Sequence, residues 1–144
     1  MSAKESKAIA RRFNDELWNK CNIDIIEELM AEDIVLHPTT RSRDDFKQGA
    51  IQALSNWPER TMTIEQMVAE GNMVVLRWTI VFTHVNEVWG IAPTGKKLKW
   101  TGISMYRIVD GKLAEDWART DDLGFMKQMG MTPDMEQVQA GTWD

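Results

Sequence analysis

Residues 97–121, KLKWTGISMYRIVDGKLAEDWARTD, read as two strands folded back on one another. Asp110-Gly111 lies between them, and an Asp-Gly pair between alternating runs marks a two-residue hairpin, because both turn positions need positive φ. The first strand spans Lys97 to Val109 and the second Lys112 to Asp121. In the second, Leu113, Trp117 and Asp121 recur at intervals of four, which places all three on one face of an extended chain. Lys97 and Lys99 alternate with Leu98 and Trp100, as a solvated strand face does.

Working outward toward the N-terminus, Met73 to Val85 also alternates, with Val74, Leu76, Trp78, Ile80, Phe82 and His84 set against Val75, Arg77, Thr79, Val81 and Thr83. Large apolar residues occur in both sets, so this strand is central and at least partly covered on both sides. A strand from Met62 toward Glu70 precedes it, joined through Gly71-Asn72. Before Pro58 the period changes to that of helices. Ser2 followed by Glu5 is a capping-box pattern ahead of Ile9, Phe13 and Leu17. Asp24 is a candidate cap for a short helix carrying Ile25, Leu29 and Met30, and Ser42 caps a third with Phe46, Ala50, Ile51 and Leu54 on one face. Ile34 to His37 reads as a short strand closed by Pro38, and the last strand leads into a short helix ending at Gly130. The segment from Met131 to Asp144 has no clear period. Helices first and a strand meander afterwards predict an α+β fold, with residues 1–144 forming one domain.

Composition narrows the function. The net charge of −5 repels phosphate backbones and anionic lipid, which argues against nucleic-acid and membrane partners. No run approaches the roughly 18 apolar residues of a membrane span, and Met1 to Glu16 resembles no targeting signal. A single cysteine, Cys21, excludes an internal disulfide and is expected to be a buried, inert thiol on an amphipathic helix; the cytoplasm is the expected compartment. Ten methionines and seven tryptophans suit an adaptable, flat-walled apolar pocket as well as a core. No metal-ligand spacing or nucleotide fingerprint is present, so neither metal nor organic cofactor is expected.

Asp121 ends the last strand. If its face lines a pocket, desolvation raises the proton affinity of the carboxylate toward that of a useful general base. The competing reading makes Asp121 the N-cap of the following helix, a role that Asp122 could fill instead. His37 ends the first strand and His84 ends the central strand on the face of Trp78 and Phe82; each suits a structural role or a substrate contact.

Three segments carry a family resemblance: AIARRFNDELWNKCNIDIIEELMAEDIVLHP (8–38), HVNEVWGIAPTGKKLKWTGISMYRIVDGKL (84–113) and EDWARTDDLGFMKQMG (115–130). The chain resembles the SnoaL-like polyketide cyclases of the nuclear transport factor 2-like superfamily. That resemblance implies a cone-shaped α+β barrel, with helices packed on a strongly curved sheet, and a homodimer or tetramer. It implies acid/base catalysis of an intramolecular aldol-type ring closure, or an isomerisation, on a hydrophobic or polycyclic small molecule, without metal or cofactor. The family's acid/base aspartate, just before the final helix, corresponds to Asp121. His37 and Ser104 would orient the substrate, with His84 a further contact, and Trp18, Trp78, Trp100 and Trp117 would supply flat walls. The antibiotic cyclases tend to carry asparagine in place of His37 and histidine in place of Ser104, and more often an apolar or aromatic residue in place of Arg119. A non-catalytic binder of a hydrophobic molecule, and a hydrolase or oxygenase of the same fold, are the alternatives.

Overall fold

The structure, a computed structural model, describes residues 1–39 and 41–131, so the aperiodic segment lies outside the described residues beyond Met131. The chain opens with α1 (Ala3–Asn14), which runs into a π-helical turn at Asp15–Asn19; α2 (Ile25–Leu29), β1 (Met30–His37) and α3 (Arg43–Asn56) follow. Four further strands come next, β2 (Thr61–Glu70), β3 (Met73–Thr83), β4 (Lys97–Val109) and β5 (Lys112–Thr120), and then α4 (Asp122–Gln128). The five strands form one sheet in the order β1-β5-β4-β3-β2, antiparallel except for the β1–β5 pair. This is the α+β arrangement that the change of period at Pro58 predicts.

Local chemistry explains most of the boundaries. Ser2 Oγ accepts the Glu5 N–H at 3.1 Å to start α1. Ser42 and Asp45 form a reciprocal capping box on α3, at 3.1 and 2.9 Å. Asp110 and Gly111 have φ of 52° and 76°, the primed turn geometry that matches strand twist. Asp24 differs from expectation and makes no side-chain cap bond to α2. Its own backbone is already helical (φ −67°, ψ −16°), whereas a capping residue is typically extended so that its side chain can reach back.

The helices share a face of the sheet with Val74, Leu76, Trp78, Ile80 and Phe82 from β3 and with Leu98, Tyr106 and Ile108 from β4, all buried. Phe13 of α1 meets Tyr106 edge-on at 6.4 Å and Phe46 of α3 at 6.3 Å. Asn19 at the end of the π turn exchanges hydrogen bonds with the Met62 backbone, at 2.8 and 3.0 Å, and so fastens the helical layer to β2.

Three details depart from the sequence reading. β1 starts at Met30 rather than Ile34; its register against β5 shifts between Met30 and Val35, which hides the alternation that identifies a strand. Cys21 is exposed rather than buried, because the helix has ended and the residue turns the chain at φ 56°, its Sγ accepting from Arg60 Nη2 at 2.8 Å. The third lies in β5. Arg107 pairs with Glu115 but Ile108 pairs with Leu113, so Ala114 is an extra residue, a β-bulge. Side-chain phase inverts across a one-residue insertion. Leu113 and Trp117 therefore point to opposite faces, and Asp116, Ala118 and Thr120 take the inner side.

Candidate active site

Between the helices and the inner face of the sheet lies an open cavity of about 1660 Å³. Aromatic rings supply much of its wall. Trp57, just past α3, stacks on Phe82 (4.6 Å, 9°) and stands edge-on to Trp100 (5.5 Å, 84°). Trp78 meets Trp100 at 5.3 Å and 76°, and Trp89, from the loop between β3 and β4, closes the group against Trp100 at 5.9 Å. Trp18 borders the cavity from the π turn. The indole donors of the two central rings are satisfied: Trp78 Nε1 donates to Ser104 Oγ at 3.0 Å and Trp100 Nε1 to Asp122 Oδ1 at 3.1 Å. Each ring is thereby tethered at its indole nitrogen. Gly102 makes room for this, since a Cβ there would collide with the Trp78 ring and lie 2.9 Å from the Arg119 carbonyl.

Asp121 borders the same cavity and also caps α4, its Oδ1 accepting the Gly124 N–H at 2.9 Å. Its second oxygen packs against Gly124, where any Cβ would meet it. Asp122 does not share the capping; it faces Trp100 and Thr120 instead. Asp121 is exposed, and its backbone N–H donates to the Thr101 carbonyl at 2.9 Å, holding the end of β5 against β4.

The sequence candidates thus separate into two groups. Asp121, Ser104, His37, Trp18, Trp78 and Trp100 border one cavity. His84 and Trp117 do not. His84 is buried and pins the loop that carries Trp89: its Nδ1 accepts the Thr94 N–H at 3.2 Å and lies 2.9 Å from Thr94 Oγ1. Trp117 lies on the outer side of β5, stacked on the His37 ring at 4.6 Å and 5° with the Arg107 guanidinium 6.0 Å from its centre. His37 reaches the cavity only at its rim, since Nε2 sits 3.1 Å from Glu115 Oε2. His37 and Arg107 together hold the Glu115 carboxyl below the usual carboxylate range. Arg119 borders the cavity and donates to its neighbour's carbonyl at 2.9 Å.

Sequence reasoning passed over the polar floor. Asn14 Nδ2 donates to the Ala10 carbonyl at 2.9 Å and to Tyr106 Oη at 3.1 Å, which places the phenol against the inner face. Burial, and secondarily Asp116, pushes the Tyr106 phenol well above its ordinary range. Asp116 lies directly opposite Tyr106 in the β4–β5 register. Its Oδ1 is buried with no hydrogen-bond partner among the described residues. Desolvation pushes this carboxyl up to about 7, against the opposing pull of Arg41 and His37. A carboxyl whose folded-state proton affinity is raised stabilises the fold below its unfolded value and loses that contribution as pH rises through the folded one. Stability should therefore fall between roughly pH 4 and pH 7. Asp116→Asn should melt with the wild type at pH 4 and several degrees above it at pH 8; superimposable melting curves at pH 8 would contradict the burial of this group. Among the described residues, no cluster of three His, Cys, Asp or Glu has metal-ligand geometry.

A curved, helix-covered sheet with a deep aromatic cavity and carboxyl groups along one strand defines the class, and comparison with known proteins agrees. The model of the SnoaL-like polyketide cyclases matches residues 8–129, and the chain belongs to that family. AclR from Streptomyces galilaeus, a candidate hydroxylase, is 27% identical with a TM-score of 0.83 over 98% of this chain and 95% of its own. IdmH from Streptomyces antibioticus, a candidate polyketide cyclase, is 27% identical with a TM-score of 0.76 over 88% of this chain and 99% of its own. A candidate polyketide cyclase from Acidithiobacillus ferrooxidans is 23% identical with a TM-score of 0.75, over 90% of this chain and 96% of its own, and shares the fold. No protein of curated function matches the sequence. Among the described residues, no helix is long and apolar enough to cross a membrane.

Proposed function

We propose that this chain is a cofactor-independent enzyme of the polyketide cyclase type, in which Asp121 acts as acid and base on an enolisable carbonyl compound held between tryptophan walls. The observation that supports this reading best is the aromatic cavity with Asp121 on its border. The carboxylate removes a proton from the carbon next to a carbonyl, and the resulting enolate attacks a second carbonyl in the same molecule. The carboxylic acid then returns its proton to the new alkoxide. Ser104, held by Trp78, orients the substrate from the wall, and His37 does so from the rim. The direct test is incubation with an aromatic polyketide methyl ester that carries both a ketone and an active methylene. Appearance of the ring-closed product supports the reading, and recovery of unchanged ester from this and related esters opposes it.

The similarity to AclR favours a second reading, hydroxylation of a polycyclic substrate in the same cavity. Product mass separates the two: ring closure leaves mass unchanged or lowers it by water, whereas hydroxylation adds an oxygen atom.

The working form in this proposal is a homodimer paired through the outer face of the sheet, where Val35, Val68 and Ile103 are exposed. Ile103, 50% exposed on the central strand β4, is the natural probe. Wild-type protein should sediment at twice the chain mass of 16.6 kDa, and Ile103→Asp at that mass. A wild-type monomer at micromolar concentration removes the dimer.

A further inference from the structure

Arg41 lies between β1 and α3, on the border of the cavity and exposed at its opening. Three observations locate its guanidinium. Nε donates to Thr39 Oγ1 at 3.4 Å, and the Arg41 backbone N–H donates to the same hydroxyl. Nη1 lies beside α3, 4.0 Å from where a Cβ on Gly49 would stand. Asp116, on the inner side of β5, feels the positive charge. The guanidinium therefore stands over the opening between α3 and β5.

Its charge has no counter-ion there. Arg12 pairs with Glu28 at 2.7 Å and Arg107 with Glu115 at 2.9 Å, whereas Arg41 makes no ion pair among the described residues. The acids around it are engaged elsewhere. Asp45 Oδ2 accepts the Ser42 N–H in the α3 capping box. Asp121 accepts from Gly124, and Asp122 from Trp100 and Thr120. Burial pushes the Asp116 carboxyl up to about 7 despite Arg41, so near neutral pH it is no settled partner.

A guanidinium is always charged, and its coplanar N–H groups match the two oxygens of a carboxylate. With Nε turned to Thr39, the Nη1 and Nη2 donors remain for such a fork; neither makes a hydrogen bond among the described residues. Gln52, one turn along α3 from Gly49, borders the cavity too and brings an amide N–H to the same side. Glu87, Asp121 and Asp122 also border the cavity. A doubly charged phosphate would meet more repulsion from them than a singly charged carboxylate does.

We propose that the substrate carries a free carboxylate in addition to its reacting carbonyl groups, and that Arg41 receives this carboxylate at the mouth of the cavity. The inference rests on the cavity reading above and adds a charge to the class of molecule it takes. Arg41 is here a binding residue and transfers no proton.

The test compares 2-naphthoate with 2-naphthamide, nearly identical in shape and different by one charge, by calorimetric titration at pH 7.5. The wild type should bind the carboxylate about ten-fold more tightly than the amide, the usual worth of a charge-assisted hydrogen bond. That preference should narrow between low and high salt, because the charge sits at an open mouth. Arg41→Gln keeps an N–H donor but no charge, and should bind the two probes alike at both salt concentrations. Arg41→Lys, with the charge but without the fork, should retain a smaller preference for the carboxylate. Two results overturn the proposal and leave the cavity reading intact: equal affinity of the wild type for both probes, or a carboxylate preference that survives undiminished in Arg41→Gln. Binding of neither probe to the wild type overturns both.

Discussion

Asp121→Asn should lower turnover by about 10²–10⁴-fold, the usual worth of a positioned general base, while leaving substrate affinity nearly unchanged. The amide has almost the shape of the carboxylate but cannot accept a proton from carbon. Affinity survives because the aromatic walls of the cavity hold the ligand. Stability survives as well, since asparagine caps a helix about as well as aspartate does and the bond from the Gly124 N–H persists. Asp121→Ala serves as the companion: it removes base and cap together and should add roughly 1 kcal/mol of destabilisation to the same loss of turnover. A purely capping aspartate predicts the opposite pattern, with Asn silent in both measurements. Turnover of an identified substrate and urea denaturation, run on the three proteins, decide between the two.

Phe125→Ala carries the largest expected stability effect, a loss of about 3–5 kcal/mol. Phe125 is fully buried and is the ring on which α4 rests. It touches Trp89 edge-on at 5.0 Å, Trp100 at 5.8 Å, Phe82 at 6.0 Å and Trp57 at 6.5 Å. The space it vacates cannot refill easily, because Trp57 is already stacked on Phe82 and Trp100 is held by Asp122. Loosening α4 also releases the end that fixes Asp121, so activity should fall even at temperatures where the variant stays folded. Urea denaturation measures the effect; a loss below about 1 kcal/mol would mean that the aromatic cluster does not anchor the helix.

The fold was legible wherever a single local rule governed the chain. Asp110-Gly111 turns the β4–β5 hairpin because Asp and Gly tolerate its backbone angles, and Ser2 and Ser42 start helices because their hydroxyls reach a free N–H. Half of the site was legible for the same reason: Trp78, Trp100 and Ser104 follow uninterrupted alternation onto the inner face. Asp116 was not. Alternation carried from Leu113 assigns it to the outside and Trp117 to the inside, and only the extra residue at Ala114 reverses that. A bulge depends on pairing with a partner strand, which the sequence of one strand does not encode. His84 misleads for a related reason. It sits in phase with Trp78 and Phe82, yet its ring is claimed by Thr94 from the far side of a loop. Asp121 as cap is a local reading and was available from the start; its place on the cavity needed the whole fold.

Exchange of carbon-bound hydrogen tests the acid/base claim most directly, because it requires neither the natural substrate nor a completed reaction. The measurement is the rate at which the wild-type protein replaces the C1 hydrogens of 2-tetralone, a bicyclic enolisable ketone, with deuterium from D2O, followed by proton NMR. An acid/base site predicts exchange well above the buffer rate, saturating with ketone concentration and lost in Asp121→Asn. Saturable binding of 2-tetralone with exchange no faster than in buffer would contradict the account and leave a binding protein in its place.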